Sequence, residues 1–336
     1  VITGVDNGSV TEDQSVTDTL ETGGQLSISD PDNNEASFVA HSGADALAGI
    51  YGSLTIDTRG VWQYSADNNQ AAVQQLGQGA TLTDHFTITG VDGTPHTVTV
   101  TLIGTNDVPL LSAIAAQSVN EDGAKVFGQL VGTDVDTGDT LSYSSTASVA
   151  GFILNADGSY SFDPSDAAYQ HLAEGAQQVL TIPVTVTDSQ GATASQNLVI
   201  TITGSNDLPV MSVLTAINAT EDGAIITGHA TATDVDTGDL LTYSSDTMVD
   251  GFSIDPDGTY RFDPGHATYQ SLMAGETRTL SIGLTASDNH GGSATQILSI
   301  TLIGTNDVPV LSAITAQDAV EEGAKVTGQL FGTDTD

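Results

Sequence analysis

The sequence contains no cysteine, which excludes disulfide bridges, thiolate metal sites and thiol catalysis. Basic residues are nearly absent, because five lysines and arginines stand against 43 aspartates and glutamates, and the formal net charge is −38. A surface this acidic repels phosphate, so neither nucleic acid nor anionic lipid is an expected partner. No stretch approaches the ~18 consecutive apolar residues of a membrane helix, so we expect no direct membrane insertion.

What remains is sufficient for globular domains, since 38% of the residues are hydrophobic and only 14% are charged. The chain begins at Val1 without a signal peptide and stops at Asp336 in the middle of a repeated motif. We therefore expect a fragment of a longer protein, in which targeting signals cannot be observed.

An internal repeat with a period of 100 residues is the strongest feature. The hexapeptide Gly-Thr-Asn-Asp-Val-Pro at 104–109 returns with small changes at 204–209 and again at 304–309. This period fits whole domains joined in series better than solenoid units. We predict four pieces: an N-terminal segment (1–106) that is a distant version of the unit, a first repeat (107–206), a second repeat (207–306) and the start of a partial repeat (307–336).

Strand patterns dominate each piece. Runs of β-branched residues such as 98–102, 182–186 and 198–202 are typical of strands, and turn-forming clusters recur every ~8–15 residues. A short helix is predicted between Asp163-Pro164 and Gly175, again over 263–275, and less clearly over 67–77. About seven short strands per hundred residues predict an all-β fold: tandem antiparallel β-sandwiches of the immunoglobulin and cadherin type, arranged as an elongated rod, with one short helix per domain.

Strand direction predicts where the acidic loops lie. If the chain passes down and up through successive strands, the Glu121-Asp122 turn reaches the bottom of the first repeat, beside the linker that leaves it. The Asp134–Asp139 loop and the Asp188 turn reach the top, beside the linker that enters. Each junction therefore collects acids from the bottom of one domain, the linker, and the top of the next.

Carboxylates gathered in this way repel one another, and the chain has almost no lysine or arginine to neutralise them. A hard divalent cation with six to eight oxygen ligands resolves the conflict, and Ca²⁺ fits better than the smaller Mg²⁺. Two plainer interpretations stay open: Asp, Asn and Gly are ordinary turn formers, and an acidic composition can serve solubility alone. The candidate metal ligands are Glu12, Asp13, Asp30, Asp32, Asp92, Asn106, Asp107, Glu121, Asp122, Asp134, Asp136, Asp188, Asn206, Asp207, Glu221, Asp222, Asp234, Asp236, Asp288, Asn306, Asp307, Asp334 and Asp336.

At these motifs the chain resembles known families. The Glu-Asp-Gly turn, the Asp-x-Asp-x-Gly-Asp loop and the closing Gly-Thr-Asn-Asp-Val-Pro of residues 107–306 resemble the bacterial cadherin-like repeats of large RTX adhesins. Residues 1–106 resemble a VCBS repeat, on Val10-Thr11-Glu12-Asp13, Tyr51-Gly52-Ser53-Leu54 and Gly60-Val61-Trp62-Gln63-Tyr64. The resemblance places cadherin-type ligand roles on Glu121, Asn206, Asp207, Asp234, Asp236 and Asp288. Two motifs of the chain depart from the family pattern: Glu321-Glu322 replaces Glu-Asp, and Val91-Asp92-Gly93 replaces the Asp-x-x-Gly turn.

The resemblance implies a protein secreted by a type I system and held on the bacterial cell surface, where tandem domains extend an adhesin in cell adhesion or biofilm attachment. Its expected partners are calcium ions and neighbouring repeats of the same chain, with host or surface glycans reached through other modules. No enzyme is expected, because the seven histidines do not recur and no carboxylate pair lies in a predicted cleft. An alternative stays open: the N-terminal segment could itself bind a glycan or a protein. Trp62 and Tyr64 are expected to pack in the core or on the surface rather than to form a ligand platform.

Overall fold

The computed structural model describes residues 1–15, 17–32 and 35–336. Within these residues the protein is built of many short strands and a single four-residue α-helix, so the predicted all-β class is confirmed. The chain divides into two compact units. The first consists of residues 1–117, 125–163 and 179–200, and the second of residues 118–124, 164–178 and 201–336.

The N-terminal segment lies within the first unit and forms two sheets. One contains strands β1, β3, β6, β5 and β4 in that spatial order, and the other contains β2, β8 and β7. The elements are β1 (Ile2–Gly4), β2 (Asn7–Thr11), β3 (Thr19–Ile28), a 3₁₀ turn (Gly43–Asp45), β4 (Leu47–Ala48), β5 (Gly52–Ile56), β6 (Val61–Asp67), α1 (Ala71–Gln74), β7 (Thr81–Thr89) and β8 (Pro95–Ile103).

Alternating side chains of the central strands fill the core of this segment. On β8, Val98, Val100 and Leu102 are buried while the threonines between them are partly exposed, which is the period of two that a sheet with one buried face requires. On β6, Trp62 and Tyr64 alternate in the same way and are fully buried. Of the two kinds of packing that the sequence left open for these aromatic residues, the structure shows packing in the core.

The indole of Trp62 fits because two strands carry glycine where they cross it. A Cβ atom on Gly8 or Gly24 would lie 2.8 Å from atoms of the Trp62 ring. The ring nitrogen donates a hydrogen bond to the carbonyl oxygen of Val5 at 2.7 Å, so its polar group is also satisfied.

A buried carboxylate, Asp84 on β7, closes the connection between β4 and β5. It accepts hydrogen bonds from the Ile50 N–H at 2.6 Å, the Gly52 N–H at 2.9 Å and the Tyr64 hydroxyl at 2.9 Å, and the Tyr51 N–H also points at it. Burial, together with the hydrogen bond to Asp84, raises the pKa of Tyr64 far above its ordinary value, so the phenol remains a donor. Several such bonds to one carboxylate stabilise its charge without a basic partner.

We predict that Asp84→Asn lowers the free energy of unfolding of the N-terminal segment by about 2–3 kcal/mol, because an NH₂ group would then face backbone N–H donors in a buried site. Urea unfolding followed by the fluorescence of Trp62, the only tryptophan, measures the change. The control is Asp92→Asn, an exposed carboxylate that is bonded to Thr94 in its own turn. An equal loss in both variants would contradict the role assigned to Asp84.

The strands of the first repeat recur in the second repeat at a spacing close to 100 residues. The first repeat contains β9 (Leu110–Leu111), β10 (Gln117–Asn120), β11 (Val126–Gln129), β12 (Gly132–Thr133), β13 (Ser142–Ser144), β14 (Phe152–Leu154), β15 (Ser159–Phe162), β16 (Gln177–Thr187) and β17 (Thr193–Thr203). The second contains β18 (Val210–Met211), β19 (Ile217–Thr220), β20 (Ile226–His229), β21 (Ala232–Thr233), β22 (Thr242–Ser245), β23 (Phe252–Ile254), β24 (Thr259–Phe262), β25 (Thr277–Ser287) and β26 (Ser293–Ile303). The partial repeat contains β27 (Val310–Leu311) and β28 (Gly332–Thr333).

The second repeat lies wholly in the second unit. Its sheets contain β19, β26, β25 and β22 in one layer and β20, β24 and β23 in the other, with β18 paired to β21. The β25–β26 hairpin pairs along its full length, from Thr277 opposite Ile303 to Ser287 opposite Ser293. This long hairpin ends in the turn that begins at Asp288, and so fixes the position of one acidic loop.

The N-terminal segment and the second repeat each contain one parallel pair of strands, and their other pairs are antiparallel. In the first of these pieces β2 runs parallel to β8, and in the second β19 runs parallel to β26. The chain passes through each piece from one end to the other, so its first and last long strands run in the same direction. They become a parallel pair because they are neighbours in the sheet. The predicted antiparallel sandwich class is confirmed, and each of these two pieces adds one parallel pair at the edge of a sheet.

The prediction of short helices over 163–175 and 263–275 was wrong, since both stretches form successive turns. In the second repeat the Tyr269 N–H bonds the His266 carbonyl and the Leu272 N–H bonds the Tyr269 carbonyl, at 3.0 and 3.1 Å. Bonds spanning three residues, with the Tyr269 and Leu272 side chains buried, produce consecutive turns rather than an α-helix. In the N-terminal segment, α1 does lie within the predicted range 67–77.

Candidate metal centres

Acidic residues from three stretches of the first unit come together around the linker after β8. Glu12 and Asp13 form the turn that follows β2, and Asp188 follows β16. The linker itself and the loop after β12 supply the remaining oxygen ligands. We call this set the first cluster, and its members are Glu12, Asp13, Asn106, Asp107, Asp134, Asp136, Asp139 and Asp188.

Backbone and amide donors hold the first cluster in place. The Thr105 N–H donates to Glu12 Oε2 at 3.1 Å, and the Asp107 N–H donates to Asp136 Oδ2 at 2.9 Å. The Asn106 side-chain amide donates to Asp188 Oδ2 at 2.9 Å. The linker is therefore bonded both to the turn before it and to the loops after it.

The second unit repeats this arrangement around the linker after β17. The second cluster consists of Glu121, Asp122, Asn206, Asp207, Asp234, Asp236, Asp239 and Asp288. The Asp207 N–H donates to Asp236 Oδ2 at 2.8 Å, and the Asn206 amide donates to Asp288 Oδ2 at 3.2 Å. The Glu121 N–H donates to the Thr203 carbonyl at 2.9 Å, so the acidic turn begins beside the linker.

The second acid of each turn has left-handed backbone geometry. The φ angles of Asp13, Asp122 and Asp222 are 57°, 58° and 58°, a region that aspartate enters more readily than most residues because its short side chain bonds locally. Glu322, which replaces aspartate in the partial repeat, has the same geometry with φ of 56°. The turn is thus conserved in shape along this chain even where the acid changes.

Burial and mutual repulsion raise the pKa of the first acid of two turns. Glu12 is fully buried, and its pKa is raised from 4.5 to about 7, chiefly by burial and further by Asp107 and Asp13. Glu121 is 2% exposed, and its pKa is raised to about 7, again chiefly by burial. Both carboxyls therefore hold a proton at mildly acidic pH and are only partly protonated near pH 7 when no cation is present.

The aspartates divide into two kinds. Burial followed by repulsion from neighbouring aspartates raises the pKa of Asp107 and of Asp207. The pKa of Asp188 is lowered, first by the Asn106 amide and then, against burial, by the backbone N–H groups of its own turn. The pKa of Asp288 is also lowered. Burial alone would raise it, but the Asn206 amide and the backbone N–H groups of the Asp288 turn outweigh burial. Asp188 in the first cluster and Asp288 in the second are thus ionised.

Many buried oxygen atoms of the clusters have no hydrogen-bond donor. Such atoms are rare in folded proteins, and each indicates that a partner such as an ion or a water molecule is missing. They include one oxygen each of Asn106, Asp107, Asp134, Asp136 and Asp139 in the first cluster, and of Asn206, Asp207, Asp234 and Asp236 in the second, together with both carboxylate oxygens of Glu121. Asp136 and Asp236 are only 4% and 5% exposed.

Three trios of carboxylates are closest. One oxygen from each member lies within 4.8 Å of the others in Glu12–Asp13–Asp107, in Asp134–Asp136–Asp139 and in Asp234–Asp239–Asp288. Among the described residues, every ion pair of a lysine or arginine involves an aspartate outside the clusters: Asp57, Asp163 or Asp263. Lysine and arginine therefore do not supply the positive charge that these trios need, and the one basic group of the described residues beside them is His290, which lies 3.2 Å from Asp239 and whose pKa is raised by it.

Sequence reasoning did not select Asp139 and Asp239 as ligands. Asp139 accepts a hydrogen bond from the Ser189 hydroxyl at 2.7 Å, while a ring nitrogen of His290 lies 3.2 Å from Asp239. The signal that could have identified them is the Asp-x-Asp-x-Gly-Asp spacing, which places a third carboxylate at the end of the same loop in both repeats.

The remaining candidates lie apart from these two clusters. Asp30 and Asp32 form a separate group with Glu35, and Asp92 bonds Thr94 in its own turn. In the partial repeat, Asp307 donates its N–H to Asp336 Oδ2 at 2.9 Å. Glu221 accepts the Thr305 N–H at 3.0 Å, so a third junction of the same form begins there, with Asp222 and Asn306 in its turn and linker and Asp334 exposed nearby in sequence.

The donor set fits a hard cation. The unpartnered atoms of the two clusters are carboxylate or amide oxygens, which are the ligands of Ca²⁺ and not those of a metal that prefers sulfur. Each full cluster offers more than the six to eight oxygens that one Ca²⁺ takes. For the acids of the clusters whose pKa is raised, such as Asp107 and Asp207, the charged form is disfavoured without a counterion.

Comparison with known families identifies the class of the chain. The profile of the bacterial cadherin-like domain matches residues 1–104 and 106–204, which is more than half of the sequence, and that of the bacterial Ig domain matches residues 206–301. The chain belongs to the bacterial cadherin-like domain family. Tandem cadherin-like and Ig-like domains are extracellular, adhesion-type modules, typically structural rather than enzymatic, and cadherin-like domains are known calcium binders.

Several solved structures are similar in fold. Mouse Cadherin-23 EC22-24 shares 18% identity over 89% of this chain and 95% of that one, with a TM-score of 0.49. Mouse Protocadherin-24 EC1-3 shares 17% identity over 89% and 97% of the two chains, with a TM-score of 0.43. Protocadherin gammaB7 EC3-6, solved as a cis-dimer, shares 15% over 99% and 84%, with a TM-score of 0.48. No curated protein matches the sequence.

Within the described residues, no helix has the length and apolar character needed to cross a membrane.

The raised pKa values predict how stability depends on pH without metal. Because folded Glu12 and Glu121 bind a proton more tightly than the unfolded chain, their contribution is complete below pH 4.5 and is lost as the pH rises to about 7. We therefore expect the melting temperature in EDTA to fall between pH 5 and pH 7 and then to level off.

The double variant Glu12→Gln/Glu121→Gln should fall less over the same range, since it has no proton to lose at these positions. The matched control is Glu21→Gln, an exposed carboxylate on β3. Identical pH profiles for the wild type and the double variant would show that these two acids do not govern the effect.

Proposed function

We propose that each cluster binds Ca²⁺ and that the bound ions stiffen the linkers between successive domains. The observation that supports this most directly is the set of buried oxygens without donors, gathered where no lysine or arginine of the described residues neutralises them. A bound cation supplies the missing positive charge and replaces the protons that Glu12 and Glu121 otherwise hold.

In the second cluster the proposed ligands come from three stretches, and Glu121, Asp207 and Asp236 represent the turn, the linker and the following loop. Residues 204–209 join β17 to β18, and Pro209 limits the backbone at the end of that linker. A cation shared by all three stretches resists any change of linker angle, because such a change must break metal–oxygen contacts.

We further propose that residues 1–106, 107–206 and 207–306 are successive domains of an extender in a bacterial surface adhesin of the RTX type, exported by a type I system, with a VCBS-type first domain. The motifs quoted from the sequence, and the membership of the cadherin-like family, support this role. Its partners are calcium ions and neighbouring repeats, while contact with glycans in adhesion or biofilm formation falls to other modules.

Asp207→Ala tests the calcium mechanism, since Asp207 lies in the linker and its Oδ2 atom is buried without a donor. Extracellular calcium modules commonly have Kd values of about 10⁻⁴–10⁻³ M, and a hundredfold excess over Kd stabilises a folded protein by ~2.7 kcal/mol per site. We expect wild type to bind calcium by isothermal titration calorimetry and to melt at a higher temperature with calcium than in EDTA. The variant should lose most of that increase for the second cluster.

Asp157→Ala is the control, because Asp157 is an exposed acid in a hairpin turn whose partner is Ser159. It should leave the calcium-dependent increase close to that of wild type. The mechanism is wrong if the two variants behave alike or if purified wild type binds no calcium.

The domain boundaries have their own test. In EDTA, limited proteolysis should cut first near residues 106 and 206, because the linkers there lose the contacts that a cation would provide. Calcium should slow both cuts. Preferred cleavage inside a repeat, for example near residue 160, would contradict the proposed boundaries.

A second candidate function is ligand binding by the N-terminal segment. The outward face of its larger sheet has a polar depression of about 290 Å³ lined by Glu21, Ser53, Thr55, Gln63 and Ser65, with Gly23 at its floor. Carboxylate, amide and hydroxyl groups of this kind can bond a sugar. Saturable binding of residues 1–106 on a glycan array would support this function.

A further inference from the structure

Two side-chain amides hold the acidic turn of the first cluster. Gln74, at the end of α1, donates from its amide nitrogen to Glu12 Oε1 at 3.0 Å and to Asp13 Oδ1 at 3.2 Å. Asn68 donates to the same Asp13 oxygen at 2.8 Å and accepts the Asp13 backbone N–H at 3.2 Å. Both acids of this turn therefore have neutral donors from their own segment.

The equivalent residues of the repeats can be assigned from backbone contacts. The Thr137 N–H bonds the Gln75 carbonyl and the Thr237 N–H bonds the His171 carbonyl, both at 3.1 Å, so Gln75 and His171 are equivalent. Gln170 is then the counterpart of Gln74. Counting back by the same offset, Asn68 is replaced by Pro164, which has neither a side-chain donor nor an acceptor.

The corresponding turn of the second cluster lacks these bonds. Neither carboxylate oxygen of Glu121 has a hydrogen bond of ordinary geometry, although the turn has the same left-handed second residue, Asp122. The side-chain nitrogen of Gln170 is buried and also without a partner. The same pair of vacancies recurs at Glu221 Oε1 and Gln270 in the next turn.

We infer that the two acidic turns depend differently on the cation: Asn68 and Gln74 order the Glu12–Asp13 turn without metal, whereas the Glu121–Asp122 turn is ordered only when a cation binds. This inference rests on the proposed calcium function. Amide N–H groups satisfy carboxylate lone pairs and offset their repulsion in the way that a cation does. Where proline replaces asparagine and Gln170 is unbonded, the Ser205 N–H that faces Glu121 is the remaining donor, and a cation supplies the further positive charge.

The difference gives the chain a graded response to calcium. When calcium is removed, the turn at the end of the N-terminal segment keeps its shape and the turn of the first repeat loosens. The other unpartnered oxygens are similar in the two clusters, so the distinction is confined to the turns. It arises because Pro164 replaces Asn68, and because Gln74 is bonded to the acidic turn whereas the side-chain nitrogen of Gln170 has no partner.

Residue-resolved amide exchange on the full chain, in EDTA and in saturating calcium, tests the inference. We expect exchange at Asp13 to change less than about twofold between the two conditions, because its N–H is bonded to Asn68. Exchange at Asp122 should slow by at least about tenfold in calcium. A similar response at both amides, or a larger one at Asp13, would overturn the inference.

A paired substitution makes the test sharper. In Asn68→Ala/Gln74→Ala, exchange at Asp13 should become calcium-dependent to the extent seen at Asp122 in wild type, with Trp62 fluorescence checking that the N-terminal segment is folded. Gln78→Ala, at an exposed position of the same segment, is the control and should leave Asp13 unchanged. If the paired variant is folded and Asp13 stays insensitive to calcium, the amides do not have the proposed role.

The failure of the underlying function gives a different result. If neither Asp13 nor Asp122 responds to calcium and no calcium binds to wild type, the calcium mechanism itself fails, and this inference with it. If calcium binds and slows exchange equally in both turns, the calcium mechanism stands and only the difference between the turns is refuted.

Discussion

Repulsion between buried carboxylates is the constraint on which the arrangement of this chain depends. At separations of about 4–5 Å and in partly buried surroundings, two like charges cost on the order of several kcal/mol, and 43 acids face only five basic residues. The domain cores avoid the problem because their strands carry apolar and hydroxyl side chains. The buried acids are placed instead in turns and linkers. Asp84 is the exception, and four neighbouring donors stabilise its charge.

Three kinds of positive partner can relieve this repulsion: a proton, an amide or backbone N–H, and a cation. The protein uses the first at Glu12 and Glu121, whose pKa values rise to about 7. It uses the second at Asp136 and Asp236, which accept linker N–H groups. Neither reaches the buried aspartate and asparagine oxygens of the clusters that lack donors. A divalent cation is the one partner that contacts several such oxygens at once.

Much of this could be predicted from the sequence, because the 100-residue period and strand direction decide which loops share an end. Glu121 and Asp236 are more than a hundred residues apart, yet strand parity alone brings them to one junction. Asp84, Gln74 and Asp239 could not be found in this way, since each acts through a contact that depends on side-chain placement rather than on a motif. The predicted helices failed for a related reason: Asp263-Pro264 and Gly275 give the correct start and end signals, but burial of Tyr269 and Leu272 selects turns.

The junction design also determines how stability spreads along the chain. In a series of domains that contact only their neighbours, stability is the sum of the terms for each domain and for each interface. An acidic junction contributes an unfavourable interface term without a counterion and a favourable one with it, so the sign of coupling between neighbours depends on the medium. Because Glu121, Asp207 and Asp236 belong to different stretches of chain, a cation that binds all three can do so only when both neighbouring domains are folded. With the proposed ion bound, unfolding one domain would remove the ion from its neighbour, and folding would become cooperative across linkers that are otherwise only a few residues of backbone.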